Sequence, residues 1–440
     1  KIKNLSNNNK NSLERYQLKM KKIKELIKIL YEKGVVHIFI GSFLTKLVAF
    51  FGSIFLVRIL SKWDYGVLGY IENIYGYIFI FAGMGLSNAI LRYVVLGKDR
   101  EEKYSYYFYS SKTGFWFNVI LIVIAGIICG LYPHPEAYAP FKWLLCLSLI
   151  AIPFQYLTDN VLCNERAMFA NQRFAILSLI LAVFVIASKI FMGSLLGLSG
   201  VLIGQIIIYA LLAIGFLYST HNKYYKLKKP NSLTSGKKRE VSIYSLQYMI
   251  TNGLWAIFML NDTFLLGRFL NNPVLIADYK VAYALPGSVA LISNAIGIFV
   301  APYFVKNESD KEWVKINFFK AYLIVAFIIG GLCFLIGMFA KPLIIFIYGE
   351  NYLNIITLMR ILLVASFFNC GLRYTTANIL AAMGQVKYNM FVSLFGMIAQ
   401  LFINIMIIPL YGVIGLAITS CIVYAGMALV LFYLFIKKYY

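Results

Sequence analysis

Residues 114–132 read GFWFNVILIVIAGIICGLY, nineteen in a row without one Asp, Glu, Lys, Arg or His. About 20 mostly apolar residues are what a helix needs to cross a hydrocarbon layer. The run has no even apolar/polar alternation and is too long for a barrel strand. In lipid the backbone must satisfy its own hydrogen bonds, so the segment reads as a transmembrane helix. Working outward, eleven similar spans follow: 35–60, 67–95, 141–163, 172–192, 198–219, 242–266, 276–304, 316–340, 354–381, 388–408 and 412–436. No hydrophilic domain separates them. Composition agrees: 61% of the residues are hydrophobic and 13% charged, far from the ~45–50% and ~25% of soluble domains, and disorder is excluded as well. The expected fold is an all-α polytopic membrane protein with about 12 transmembrane helices. No stretch reads as a signal peptide, since the first long apolar run begins near Val35 and no small-residue cleavage site follows it.

The formal charge of +23 is unusual for so apolar a chain. With the N-terminus placed in the cytoplasm, the inner segments carry 29 of the 41 Lys and Arg residues, and the outer connections carry three, Lys62, Arg268 and Lys341. That bias predicts a multi-pass protein with both termini cytoplasmic. Residues 1–34 form a basic segment. Within it Leu13, Tyr16, Met20, Ile23, Ile27 and Leu30 recur at helical spacing, which suits either a helix lying on anionic lipid or a solvated topogenic tail. The six cysteines read as small packing residues, and the three scattered histidines give no metal-site spacing.

The chain repeats weakly. Arg58-Ile59-Leu60 is echoed by Arg268-Phe269-Leu270, Met168–Arg173 by Met383–Lys387, and Gly200–Gly204 by Gly412–Gly415, at offsets of 210, about 214 and 212. Two parallel six-helix halves are expected, 35–219 and 242–436, joined by a basic linker at 220–241 and followed by a tail at 437–440. Such a layout is typical of alternating-access transporters.

Nine cations lie within the spans: Lys46, Arg58, Arg92, Lys142, Lys189, Lys280, Lys320, Arg360 and Arg373. The acids there are Glu72, Asp159, Asp262 and Asp278. Intramembrane charges usually face protein or a watery cavity. Lys142, Lys189, Arg58 and Lys280 lie near the outer ends and Arg92 and Lys320 near the inner ends, where snorkelling is the simpler reading. Lys46, Glu72, Arg360 and Arg373 are deeper. Lys46 and Glu72 could pair with each other. Arg360 and Arg373 stand ~140° apart on a regular helix, so both face one cavity only if the helix breaks. Pro286 beside Gly287 predicts a bent helix, and Asn252 and Asp262 add polarity to the seventh span. Surplus cations suit an anionic substrate, while Glu72 or Asp262 could hold a coupling proton or cation.

Arg58-Ile-Leu-Ser-Lys-Trp-Asp-Tyr65-Gly66, Gly83-Met-Gly85-Leu86 and Ala89-Ile90-Leu-Arg92-Tyr93 are joined later by Asn261-Asp262, Gly267-Arg268, Ala277-Asp-Tyr279, Tyr348-Gly349, Ala377-Asn378 and Gly384-Gln-Val-Lys387. In this order they resemble the polysaccharide-export branch of the multidrug/oligosaccharidyl-lipid/polysaccharide (MOP) flippase superfamily, over roughly residues 35–436. The resemblance implies a V-shaped bundle in the bacterial inner membrane. It implies a Wzx-type flippase that carries an undecaprenyl-pyrophosphate-linked oligosaccharide to the outer leaflet. Lys46, Arg58, Arg92, Arg268 and Lys280 are then candidates for the cationic cavity, with Arg360 and Arg373 beside them and Glu72, Asn252 and Asp262 as coupling or polar groups. It implies no cofactor beyond a proton or sodium gradient. The implied partners are the lipid-linked glycan, membrane lipids, and the polymerase and chain-length machinery of polysaccharide assembly. Flippases for teichoic acid precursors or lipid II share that fold.

A multidrug antiporter of the same fold would need an acidic cavity with a deep carboxylate in the first span, where this chain has Lys46 and Arg58. A membrane-bound polymerase or glycosyltransferase would need a large outer loop or clustered carboxylates, and no nucleophile or nucleotide motif is present. Catalysis is not expected. Nucleic acid is a poor explanation for cations spread along one membrane edge.

Overall fold

The computed structural model describes residues 35–226 and 229–439, so the basic segment at 1–34 lies outside the described residues. The helices are α1 Val35–Ile59, α2 Lys62–Phe79, α3 Leu86–Leu96, α4 Arg100–Leu131, α5 Lys142–Leu149, α6 Ala151–Ala167 and α7 Asn171–Thr220. After the linker come α8 Ser235–Leu270, α9 Pro273–Ser288, α10 Ala290–Lys306, α11 Lys311–Met338, α12 Ala340–Tyr348, α13 Ile356–Ser366, α14 Tyr374–Ala382 and α15 Val386–Tyr439. There is no strand among the described residues. The protein is an all-α, multi-pass membrane fold.

Eight helical segments are long and apolar enough to cross a membrane. Two more spans do so as bent rods: α2 with the 82–96 segment, at 48°, and the two arms of α8, at 42°. That makes ten. But α7 and α15 contain 50 and 54 residues, about 75 and 80 Å of helix against a hydrocarbon core of about 30 Å. Each doubles back at a glycine, Gly197 (φ 59°, ψ −140°) and Gly412 (φ 57°, ψ −140°), in a backbone region essentially closed to other residues. The arms then touch. A Cβ on Gly200 would overlap the Met192 carbonyl oxygen, one on Gly415 would meet Tyr411 Cβ at 2.9 Å, and Ser188 Oγ donates to the Gly204 carbonyl at 2.9 Å. Each overlong helix is a hairpin of two spans, which brings ten to twelve.

Local chemistry recurs along the chain. Asp99 and Asp310, 211 residues apart, cap α4 and α11 by accepting from the backbone N–H of Glu102 (2.7 Å) and Trp313 (3.0 Å). Left-handed backbone occurs at Phe169 and Gly384, and at the hairpin glycines 197 and 412, both pairs 215 residues apart. The counterpart of Gly200 is therefore Gly415, not Gly412, and the sequence pairing at offset 212 was three residues out of register. The offset changes from 211 to 215 between these two pairs of positions.

Several rods break where the sequence demands it. Between α2 and α3, Gly83 (φ 56°), Met84 (φ 53°) and Gly85 (φ 74°) are all left-handed. The break is held by the Gly83 N–H donating to Asn118 Oδ1 at 2.7 Å and by the Tyr156 ring packed against Gly83. Near Pro286, where a bend is expected, the helix is interrupted only at Val289, three residues on, which keeps helical dihedrals (φ −58°, ψ −29°), and Pro273–Lys306 remains one span. Alongside, α2 packs on α9 through small residues: Gly66 lies directly against the Pro273 carbonyl, and Gly69 against Ile276 and Lys280.

Candidate functional site

Glu72 lies ten residues into α2, and both its oxygens are engaged. Lys189 of α7 reaches Oε1 at 3.1 Å and Lys280 of α9 reaches Oε2 at 2.8 Å. Lys280 also stands 5.3 Å from the centre of the Tyr65 ring. The three side chains are 36%, 12% and 26% exposed, so the cluster is partly shielded yet reachable. It joins elements from the first and the last six spans and carries one net positive charge. The pairing of Glu72 with Lys46 does not occur: Lys46 is exposed on α1, without a polar partner among the described residues.

Asp262, in the second arm of α8, accepts hydrogen bonds from Tyr279 (3.2 Å), Gln400 (3.3 Å) and Asn404 (2.9 Å). It lines a cavity of about 350 Å³ with Lys280, Tyr283, Asn369 and Tyr424. The amide oxygens of Gln400 and Asn404 are buried without partners.

The remaining predicted residues are dispersed. Arg58 donates to the backbone carbonyls of Phe346 and Ile347, the latter at 2.8 Å, and so covers the C-terminal carbonyls of α12. Arg92 lies over the rings of Tyr93 and Tyr244, 5.8 and 5.1 Å from their centres. Arg268 is exposed near the C-terminal end of α8. Arg360 donates to the Gly337 carbonyl at 3.0 Å and lines an otherwise apolar groove with Cys333, Phe334 and Phe367. Arg373 is 4% exposed and donates to Asn369 (2.9 Å) and Ser393 (2.8 Å). The two arginines stay apart even across the π-turn. Asn252 donates to the Tyr248 carbonyl at 3.0 Å and lines a smaller cavity. Of the predicted residues, the structure therefore brings together Glu72 and Lys280, with Asp262 on the cavity that Lys280 also lines. It adds Lys189, whose place near the end of a span had suggested snorkelling.

Polar bridges tie the first six spans to the last six at both ends. At one end, Lys62 Nζ meets Asp278 at 2.6 Å and the Asn354 side chain at 3.0 Å, and the Ala137 N–H donates to Asn271 at 2.9 Å. At the other end, Lys237 meets Glu102 at 2.6 Å and Tyr93 donates to Glu240 at 3.2 Å. The hydrogen bond from Lys237 holds the Glu102 carboxyl below the usual range.

Comparison with known proteins fits this geometry. A family profile described as polysaccharide biosynthesis protein matches residues 55–357. An uncharacterised membrane protein in the cps region of Klebsiella pneumoniae is 24% identical over 423 residues, covering 90% of this chain and 80% of that protein. A putative O-antigen transporter of Shigella flexneri is 29% identical over 158 residues, 34% of this chain and 37% of that one. Among solved structures, the lipid II flippase MurJ in an inward closed conformation superposes with a TM-score of 0.69 at 17% identity, covering 92% of this chain and 89% of that one.

Proposed function

The chain belongs to the polysaccharide biosynthesis protein family, and from that premise we propose that it is a flippase of the MOP superfamily, moving an undecaprenyl-pyrophosphate-linked oligosaccharide from the cytoplasmic to the outer leaflet. The observation that carries this reading is the Lys189–Glu72–Lys280 cluster between the first and last six spans. A pyrophosphate is a better partner for two ammonium groups than one carboxylate is, because it offers more charge and more acceptor oxygens. Glu72 bridges the two lysines when no substrate is present, and the incoming head group displaces it. The sugar follows the head group while the lipid tail stays in the bilayer.

The cycle is alternating access between parallel halves, 35–219 and 242–436, in a bacterial inner membrane with both termini in the cytoplasm. The recurring caps and left-handed positions support this division, and the cation bias supports the orientation. A proton or sodium gradient supplies the drive, with no other cofactor. Polysaccharide polymerase and chain-length machinery act on the delivered glycan. The protein is a transporter, not an enzyme.

Reconstitution into vesicles with a fluorescent pyrophosphate-linked glycan tests the reading. Leaflet exchange is expected from the unaltered protein and a drop of at least tenfold from Lys280→Ala. No exchange, combined with proton-coupled efflux of organic cations, would replace it with a multidrug antiporter.

A further inference from the structure

Four carboxylates lie within the spans, and three are fully engaged. Glu72 has two lysines, Asp262 three hydrogen-bond donors, and Asp278 a lysine and an asparagine. Asp159 of α6 has neither an ion pair nor a hydrogen bond among the described residues. Its neighbours have spent their donors elsewhere. Tyr75 OH donates to Gln155 at 2.6 Å, Tyr156 OH to the Ser110 carbonyl at 2.7 Å, and Ser87 Oγ to Asn160 at 2.6 Å. The titratable groups facing Asp159 are Tyr75 of α2, Tyr209 of α7 and Cys163 of its own helix, with Tyr248 of α8 across the cavity. From α3 come Ser87 and Asn88, neither of which titrates. No lysine or arginine is among these groups.

Asp159 also has a distinctive place. It lines a cavity of about 200 Å³ whose walls are residues 79–88 on one side and 248–256 on the other. Those segments contain the breaks of two bent spans, 48° at the α2–α3 elbow and 42° within α8. One elbow belongs to the first six spans and the other to the last six. A carboxylate without counter-ion or donor, two turns inside a span, is costly to keep ionised, and its neutral form removes the cost. Its protonation state therefore changes the polarity of a cavity bounded by both elbows.

We propose that Asp159 is the proton-binding site that couples a transmembrane proton gradient to the bending of these two spans. The carboxylate takes a proton from water on one side, forming a carboxylic acid, and returns it to water on the other after the elbows have moved. The inference rests on the transport reading for what the movement achieves, but the site itself can be tested without any glycan.

Difference infrared spectra of the full chain in lipid nanodiscs, recorded between acid and alkaline pH, are expected to show a protonated-carboxyl carbonyl band that disappears as pH rises. The band should vanish in Asp159→Asn, return at a shifted position in Asp159→Glu, and persist in Asp262→Asn. A band that survives Asp159→Asn, one abolished by Asp262→Asn, or a spectrum that responds to sodium and not to pH would overturn the proposal. In reconstituted vesicles, an imposed pH gradient should accelerate leaflet exchange several-fold for the unaltered protein and leave the Asp159→Asn rate unchanged. If the unaltered protein moves no glycan, the flippase reading falls while the carbonyl band still decides the fate of Asp159.

Discussion

Glu72 has two ammonium groups within 3.1 Å and no other donor among the described residues. In a site one-third exposed, solvent screens the attraction, so the cluster contributes modestly to stability and more to specificity. Glu72→Gln keeps the shape and removes the charge that an anion must displace. It should tighten binding of inorganic pyrophosphate about tenfold, equivalent to ~1.4 kcal/mol, and slow leaflet exchange because release becomes harder. Titration calorimetry on the detergent-solubilised protein measures the first effect and vesicle exchange the second. Weaker pyrophosphate binding in Glu72→Gln would mean that the carboxylate helps to hold the ligand rather than competing with it.

At the scale of elements, two glycine roles can be separated. Gly66 lets α2 lie against the Pro273 carbonyl, and any Cβ there meets backbone that cannot give way. Gly66→Ala should cost about 1–3 kcal/mol, as overpacking does, and lower the thermal midpoint, whereas Gly126→Ala, with nothing within 4 Å of the new methyl, should leave it unchanged. Gly197→Ala has room for a methyl group but not the backbone conformation, and should cost about 1–3 kcal/mol through strain at the hairpin turn. The spans themselves were legible from apolar length alone, including the two hairpins that run as single overlong helices. The register of the repeat was not, because Gly-Val-Ile-Gly matches Gly200–Gly204 by letters while the left-handed turn fixes Gly197 opposite Gly412. Nor was the role of Lys189. Depth along a span shows how far a cation lies from water, but its partners are set by which helices pack together, and those lie 117 and 208 residues apart for Lys189 and Lys280 with Glu72.

At the scale of the molecule, the bridges at the two ends cannot all persist through an alternating-access cycle. In the proposed orientation the Lys62 set is the outer one. It is the stronger, because Asp278 is 4% exposed and is held by Lys62 at 2.6 Å and by Asn354 at 2.7 Å, while the inner Lys237–Glu102 pair is 45% and 22% exposed. Removing one partner of a buried pair costs about 3 kcal/mol or more, whereas an exposed pair contributes at most about 1 kcal/mol. The free protein should therefore rest closed on the outside. Lys62→Glu puts two carboxylates where the bridge was and penalises that closed state. A ligand-free population that is mainly outward-closed should then shift by several-fold or more toward outward-open. Spin labels on the outer ends of α1 and α12 should report a longer distance in Lys62→Glu, and the reversed pair Lys62→Glu with Asp278→Lys should restore the short one. An unchanged distance in the single variant would show that the close packing of α2 on α9, rather than the ion pair, keeps the outer side shut.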